Sequence, residues 1–317
     1  MPLRKSSRCI AGASILFTGL CLLRPAQAEP KAALTLPNKP IFPADNPWNQ
    51  DISKAPVDPN SDAIIAAMKP GRALHPDFGT SYGGAPNGIP YTVVPGNQPR
   101  VPMSFQYSDE SDPGPYPIPP DSPIEGGLAG DGDRHVIVID KDHWKLYETW
   151  DSHPDGKGGW HCGSGAIFDL SSNALRLAGW TSADAAGMPI FPGLVRYEEM
   201  VGKKEINHAI RFTMVHSRRA YVYPARHYAS RLTDPNLPPM GMRVRLKSSV
   251  DISGLSPTMQ VLARAMKKYG LIFADNGSDW YLSGTPDGRW NNDDLHTINR
   301  LHGSDFEVVK MGEIVTH

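Results

Sequence analysis

Cysteine is nearly absent from this chain. Its 317 residues hold three, and two of them, Cys9 and Cys21, lie close to the amino terminus. The body keeps only Cys162, which excludes an intramolecular disulfide framework and a paired Cys-x-x-Cys metal or redox site. With no second cysteine or basic cluster beside it, that thiol reads as a packing residue. Long apolar runs are also missing: the most apolar stretch, Ile10 to Leu23, falls short of the roughly 20 residues a helix needs to cross a bilayer. An excess of positive charge is missing too. Lys and Arg number 32 against 33 Asp and Glu, so the chain lacks the electrostatic footprint of a nucleic-acid or anionic-membrane binder. No Gly-x-Ser-x-Gly elbow, P-loop, Rossmann glycine fingerprint or His-Glu-x-x-His is present, which removes several common enzyme classes.

The amino terminus carries a targeting signal. Arg4, Lys5 and Arg8 precede the apolar stretch and Ala26-Gln27-Ala28 follows it, the order of parts in a secretory signal peptide. Residues 1–28 are therefore expected to be removed and the mature chain to be secreted, periplasmic or extracellular, with no stable membrane insertion. Loss of Arg4, Lys5, Arg8 and Arg24 takes the formal charge from −1 to −5.

Thirty-one prolines and 30 glycines favour strands and loops over helices, because both residues interrupt helices. Alternation predicts strands at 89–94, 134–140, 144–150, 165–170, 206–213, 219–225, 242–247 and 271–275. Helices are expected at Asp62 to Lys69, about 194–201, about 293–300, and Pro257 to Tyr269, where Ser256 caps the start and Gly270 ends it. The expected fold class is mainly all-β: an antiparallel β-sandwich or jelly roll with a few peripheral α-helices. Residues 29–107 read as an N-terminal arm and loop-rich region packed on the main body, and 108–317 as the sandwich domain. The acid- and glycine-rich loop 108–133 lacks the register of an EF-hand calcium loop.

Three ionisable residues interrupt apolar strand faces. His135 shares a face with Ile137 and Ile139, Glu148 with Leu146 and Trp150, and His208 with Ile206, Ile210 and Phe212. An unpartnered polar group on such a face costs roughly 2–7 kcal/mol, so the three are expected to meet partners or a ligand. If the faces converge, Glu148 and His208 form a proton-handling pair positioned by His135. The same three could hold one divalent metal ion as a two-histidine, one-carboxylate set. Against both stands a third reading, in which each is a separately satisfied core residue.

Around them lie candidate substrate contacts. Asp169, Trp180, Tyr223 and His227 offer acids, rings and imidazole for sugar hydroxyls, Arg226 could hold an acidic sugar carboxylate, and Arg211 is a further candidate contact that could instead pair with Glu148. Asp184 reads as the cap of the turn before Ala185-Ala186-Gly187, and Asp169 could equally be an outer-face polar residue.

The segments Gly179-Trp180-Thr181-Ser182-Ala183-Asp184-Ala185-Ala186-Gly187, Pro192-Gly193-Leu194-Val195-Arg196-Tyr197, His208-Ala209-Ile210-Arg211-Phe212-Thr213 and Pro224-Ala225-Arg226-His227 resemble a group of secreted bacterial proteins of undetermined activity. The resemblance covers most of residues 108–310 and implies a shared extracellular β-rich domain, with no activity attached. Export, β architecture and buried ionisable groups together lead to the expectation of a monomeric, secreted, carbohydrate-active enzyme. It would cleave a polysaccharide or oligosaccharide by hydrolysis or elimination, as a glycoside hydrolase or polysaccharide lyase. The alternatives are a metal-dependent extracellular enzyme and a noncatalytic glycan-binding or cell-surface protein.

Overall fold

The computed structural model describes residues 34–316; the expected signal peptide and its cleavage site lie outside the described residues. Two sheets organise the chain. The larger runs, in spatial order, β1 (His75–Asp77), β9 (Tyr281–Ser283), β6 (Ile210–Met214), β8 (Leu271–Asn276), β7 (Arg243–Leu246) and β10 (Phe306–Val308). The smaller runs β5 (Ser164–Asp169), β4 (Lys145–Trp150), β3 (Val136–Asp140) and β2 (Tyr91–Val94). The fold is mainly β, as the alternation predicts, but its ladders are mixed rather than antiparallel. β1 with β9, β6 with β8, and β2 with β3 pair in parallel. Parallel partners come from distant parts of the chain, so no local turn signal announces them. Residues 34–107 do more than cover the body, since β1 and β2 are members of the two sheets.

β3 explains its own sequence. All five of its residues are buried, and a strand covered on both faces reads as a near-continuous β-branched run. Ile137 and Ile139 enter the main core, and Val136 and Val138 enter a smaller one with Tyr116, Tyr147 and Cys162. The Cys162 thiol is fully enclosed, and burial pushes its pKa up to about 11, which matches the packing role expected of it. The main core centres on Trp280, whose indole lies 5.6 Å from the Phe212 ring and 5.4 Å from Phe306. Complete burial of each such side chain contributes roughly 1.5–3 kcal/mol.

Helices follow their caps. In α1 (Pro257–Lys268) the Ser256 hydroxyl accepts the Met259 N–H at 3.1 Å, and Gly270, at a φ of 75°, turns the chain away just past its end. The helix expected near 194–201 is displaced: a wide turn spans Glu198–Lys203 instead. Arg196 is the cause, because its guanidinium bonds the carbonyls of Phe191 and Leu194 and holds that stretch off a helical path.

Candidate functional site

The three ionisable residues on apolar faces do not converge. Glu148 is wholly buried and accepts the N–H groups of Ile190 and Phe191 at 2.8–3.1 Å. It caps the short turn Phe191–Gly193. His208 donates from Nδ1 to its neighbour's carbonyl, Ala209 O, and its Nε2 meets Arg196 and Glu199 beside a different hollow. His135 places Nδ1 2.6 Å from Glu125 and Nε2 3.0 Å from the Ala183 carbonyl. A carbonyl only accepts, and a carboxylate beside Nδ1 calls for a donor there, so both ring nitrogens carry hydrogen. His135 is a buried imidazolium. Burial opposes that charge, and Glu125, by charge and by hydrogen bond, overcomes it and raises the pKa to about 9. The proposed three-residue metal set is likewise not assembled: among the described residues no group of three or more His, Cys, Asp or Glu side chains is placed to hold a metal ion.

Arg211 is a correction of a different kind. It is buried and spends its donors on protein: Nε and Nη2 grip Asp184 at 2.9 and 2.8 Å, Nη1 reaches Ser283 at 2.6 Å, and Nη2 also meets Asp275 at 3.1 Å. Four of its five N–H donors are spent in this way, and the side chain does not line the cleft where a sugar carboxylate would sit. Asp184, expected as a turn cap, is the fully buried partner of this fork. Asp169 pairs with Lys145 at 2.8 Å, which with Ser171 lowers its pKa to about 2. Trp180 lies 5.5 Å from the Arg176 guanidinium, Arg226 donates to the Arg176 carbonyl, and Tyr223 is exposed. None of these four lines the cleft between β4, β5 and β8.

That cleft, about 340 Å³, opens where the end of β4 and the start of β5 meet the carboxyl end of β8, and His227 is the one expected contact that lines it. Its walls hold Tyr107, Trp150, Glu110 and Asp133; its depth holds Ser182, Asp184, Asp275 and Asn276. The Tyr107 and Trp150 rings stand 6.3 Å apart and 32° from parallel. Trp150 Nε1 donates to Asp133 at 3.1 Å. The turn carrying Asp184 closes through Gly187, whose N–H meets the Asp184 carbonyl at a φ of 69°. A Cβ there would come within 2.4 Å of the Trp180 carbonyl. At the rim, Arg134 and Asp151 adopt positive φ values of 52° and 50°, a conformation costing non-glycine residues on the order of 1 kcal/mol each.

Two groups in the cleft are chemically distinctive. Asp275 follows a bulge between β6 and β8, after which Thr213 rather than Met214 faces it; such bulges re-aim side chains. Its side chain is 19% exposed. Burial and the neighbouring Asp184 charge hold its carboxyl well above the usual carboxylate range, with Arg211 opposing. Its protonated form is thereby favoured beyond that of an ordinary carboxyl. His227 donates from Nδ1 to the Ala185 carbonyl at 2.7 Å, so that in the neutral ring the lone pair sits on Nε2. Beside them, Asn276 gives its amide N–H to the Ala229 carbonyl while its Oδ1 is a buried acceptor without a partner.

The buried groups make stability fall as pH rises. Burial first, and Asp184 next among the raising causes, lift Glu148 from 4.5 to about 7 against its two backbone hydrogen bonds. Its contribution is complete below pH 4.5 and is lost as pH rises through 7. His135, raised from 6.5 to about 9, contributes fully below pH 6.5 and loses its share through pH 9. Each shift corresponds to about 3 kcal/mol. Glu199, lowered to about 2 against burial by Arg196 and His208, works the other way: its share is full above 4.5 and goes as pH falls through 2. The unfolding midpoint is thus expected to peak near about pH 5 and decline towards pH 9. A midpoint that is flat or rising over that range in a calorimetric pH series would contradict this.

Among signals in the sequence, alternation through Leu271, Phe273 and Asp275 could have singled out Asp275 by the same rule that selected Glu148. Comparison with protein-family models, with curated proteins and with solved structures finds no match, so the chemistry of this cleft rests on its own geometry.

Proposed function

We propose that this is an exported carbohydrate-active enzyme that cleaves a polysaccharide or oligosaccharide with a carboxyl and histidine pair, Asp275 and His227. The observation that carries the reading is the opening of a carboxyl whose protonated form is favoured and an imidazole held at Nδ1 into one cleft with aromatic walls. In hydrolysis, the Asp275 carboxyl gives its proton to the glycosidic oxygen as that oxygen's bond to the anomeric carbon breaks. His227 Nε2 takes a proton from the water that attacks the same carbon. Arg211, 3.1 Å from Asp275, offsets the charge left on the carboxylate. Trp150 and Tyr107 present flat apolar faces to sugar rings. The chemistry matches the expectation drawn from the sequence, carried by different residues.

The test is a panel of neutral, acidic and amine-bearing polysaccharides incubated with the purified mature chain. New reducing ends indicate hydrolysis, and new UV-absorbing unsaturated ends indicate elimination. Binding without either product would make the protein a noncatalytic glycan binder, and neither binding nor cleavage across the panel would end the carbohydrate reading.

A further inference from the structure

We infer that the cleft selects amine-bearing sugars, so that the substrate is a glycan with free amino groups, cleaved by hydrolysis. The inference rests on the glycan reading above and adds the substrate class. Its first ground is the placement of charge. The walls carry Glu110 and Asp133, and no Lys or Arg lines the cleft. The three cations that bond its lining residues are already engaged: Arg211 by Asp184, Asp275 and Ser283, His135 by Glu125 and Ala183, and Arg176 by Asp112 and the carbonyls of Glu110 and Thr181. A uronate carboxylate would face two carboxylates and no free cation.

The second ground is what the wall carboxyls leave open. Glu110 Oε2 accepts the Thr181 N–H at 3.1 Å, and Asp133 Oδ1 accepts the Trp150 indole N–H at 3.1 Å. These bonds fix both groups, and Glu110 Oε1 and Asp133 Oδ2 have no partner among the described residues. Each is a positioned acceptor at an aromatic wall. An ammonium on a sugar ring stacked at Trp150 supplies three donors and a charge attracted to both the carboxylates and the indole face. Elimination chemistry needs a uronate, whose carboxyl acidifies the neighbouring C–H. A cleft that repels uronates is therefore left with hydrolysis.

Calorimetric titration with glucosamine oligosaccharides, their N-acetylated counterparts of equal length, galacturonate oligosaccharides and the polyamine spermidine tests this. The glucosamine series should bind about tenfold or more tightly than the N-acetylated series at low salt, a margin that shrinks as salt rises, and galacturonate should bind weakest. In Glu110→Gln, which keeps an acceptor for the Thr181 N–H, the margin should narrow severalfold while N-acetylated affinity stays unchanged. Equal binding of the two series overturns the amine selectivity and leaves the glycan cleft standing. Spermidine binding as tightly as the glucosamine series overturns the sugar assignment in favour of a general cation site. Binding of none of the oligosaccharides overturns the inference together with the reading beneath it.

Discussion

Asp275→Asn is expected to leave the protein folded and to lower turnover on its glycan by about 10²–10⁴-fold, the usual worth of a positioned acid. The substitution is informative because burial and the Asp184 charge already favour the protonated form of the native carboxyl. Asparagine matches that neutral group in size and, with its single oxygen, keeps one of the two hydrogen bonds that Arg211 Nη2 gives to Oδ2 and the Asn276 N–H gives to Oδ1. What it cannot do is release a proton to a leaving oxygen. Thermal stability should fall by the one lost hydrogen bond, about 1 kcal/mol, at acidic pH, and should gain on the native protein as pH rises, where Asp275 must ionise beside Asp184. The alkaline limb of the native pH–rate profile should disappear from whatever residual activity the variant retains. Full activity in Asp275→Asn, with the alkaline limb intact, would place the acid elsewhere and remove the carrying observation of the proposed function.

The local elements were legible in the sequence because their causes are local. Ser256 and Pro257 mark the start of α1 by chemistry confined to one turn, and the continuous apolar run of β3 marks a strand covered on both sides. Pairing was not legible: β2 lies parallel to β3, and β6 to β8, by contacts between segments far apart in the chain. Ionisable groups on apolar strand faces are buried, but the alternation does not say what they meet. Glu148 meets two peptide N–H groups, His208 a carbonyl with Arg196 and Glu199, and His135 a carbonyl with Glu125. Backbone partners leave no mark in a side-chain pattern, and Glu125 and Glu199 stand outside those strands. The cleft was hidden for a related reason, since Asp133 stands in a loop, His227 follows a short strand, and Asp275 closes β8.

Arg211→Leu is expected to destabilise the fold by about 3–5 kcal/mol, the cost of leaving a buried charge without its partner, and to lower the unfolding midpoint by about 10 °C. Asp184 has no exposed surface and would lose both bonds of the bidentate pair. Asp275 would lose the cation that opposes its raised pKa. The loss should be largest at neutral and alkaline pH and should shrink in acid, where Asp184 takes up a proton instead of standing as a bare carboxylate. A substrate-binding arginine, the role suggested by its neighbourhood in the sequence, would behave in the opposite way: the midpoint would hold and only the Michaelis constant would rise. The double replacement Arg211→Leu with Asp184→Leu separates the pair from its parts. Removing both charges relieves the unpaired-ion penalty, so the double variant should be more stable than Arg211→Leu alone, a coupling that a mutant cycle reads directly. Strictly additive losses in that cycle would mean that Arg211 and Asp184 stabilise the cleft floor independently, and the ion pair would no longer account for the position of the Asp184 turn.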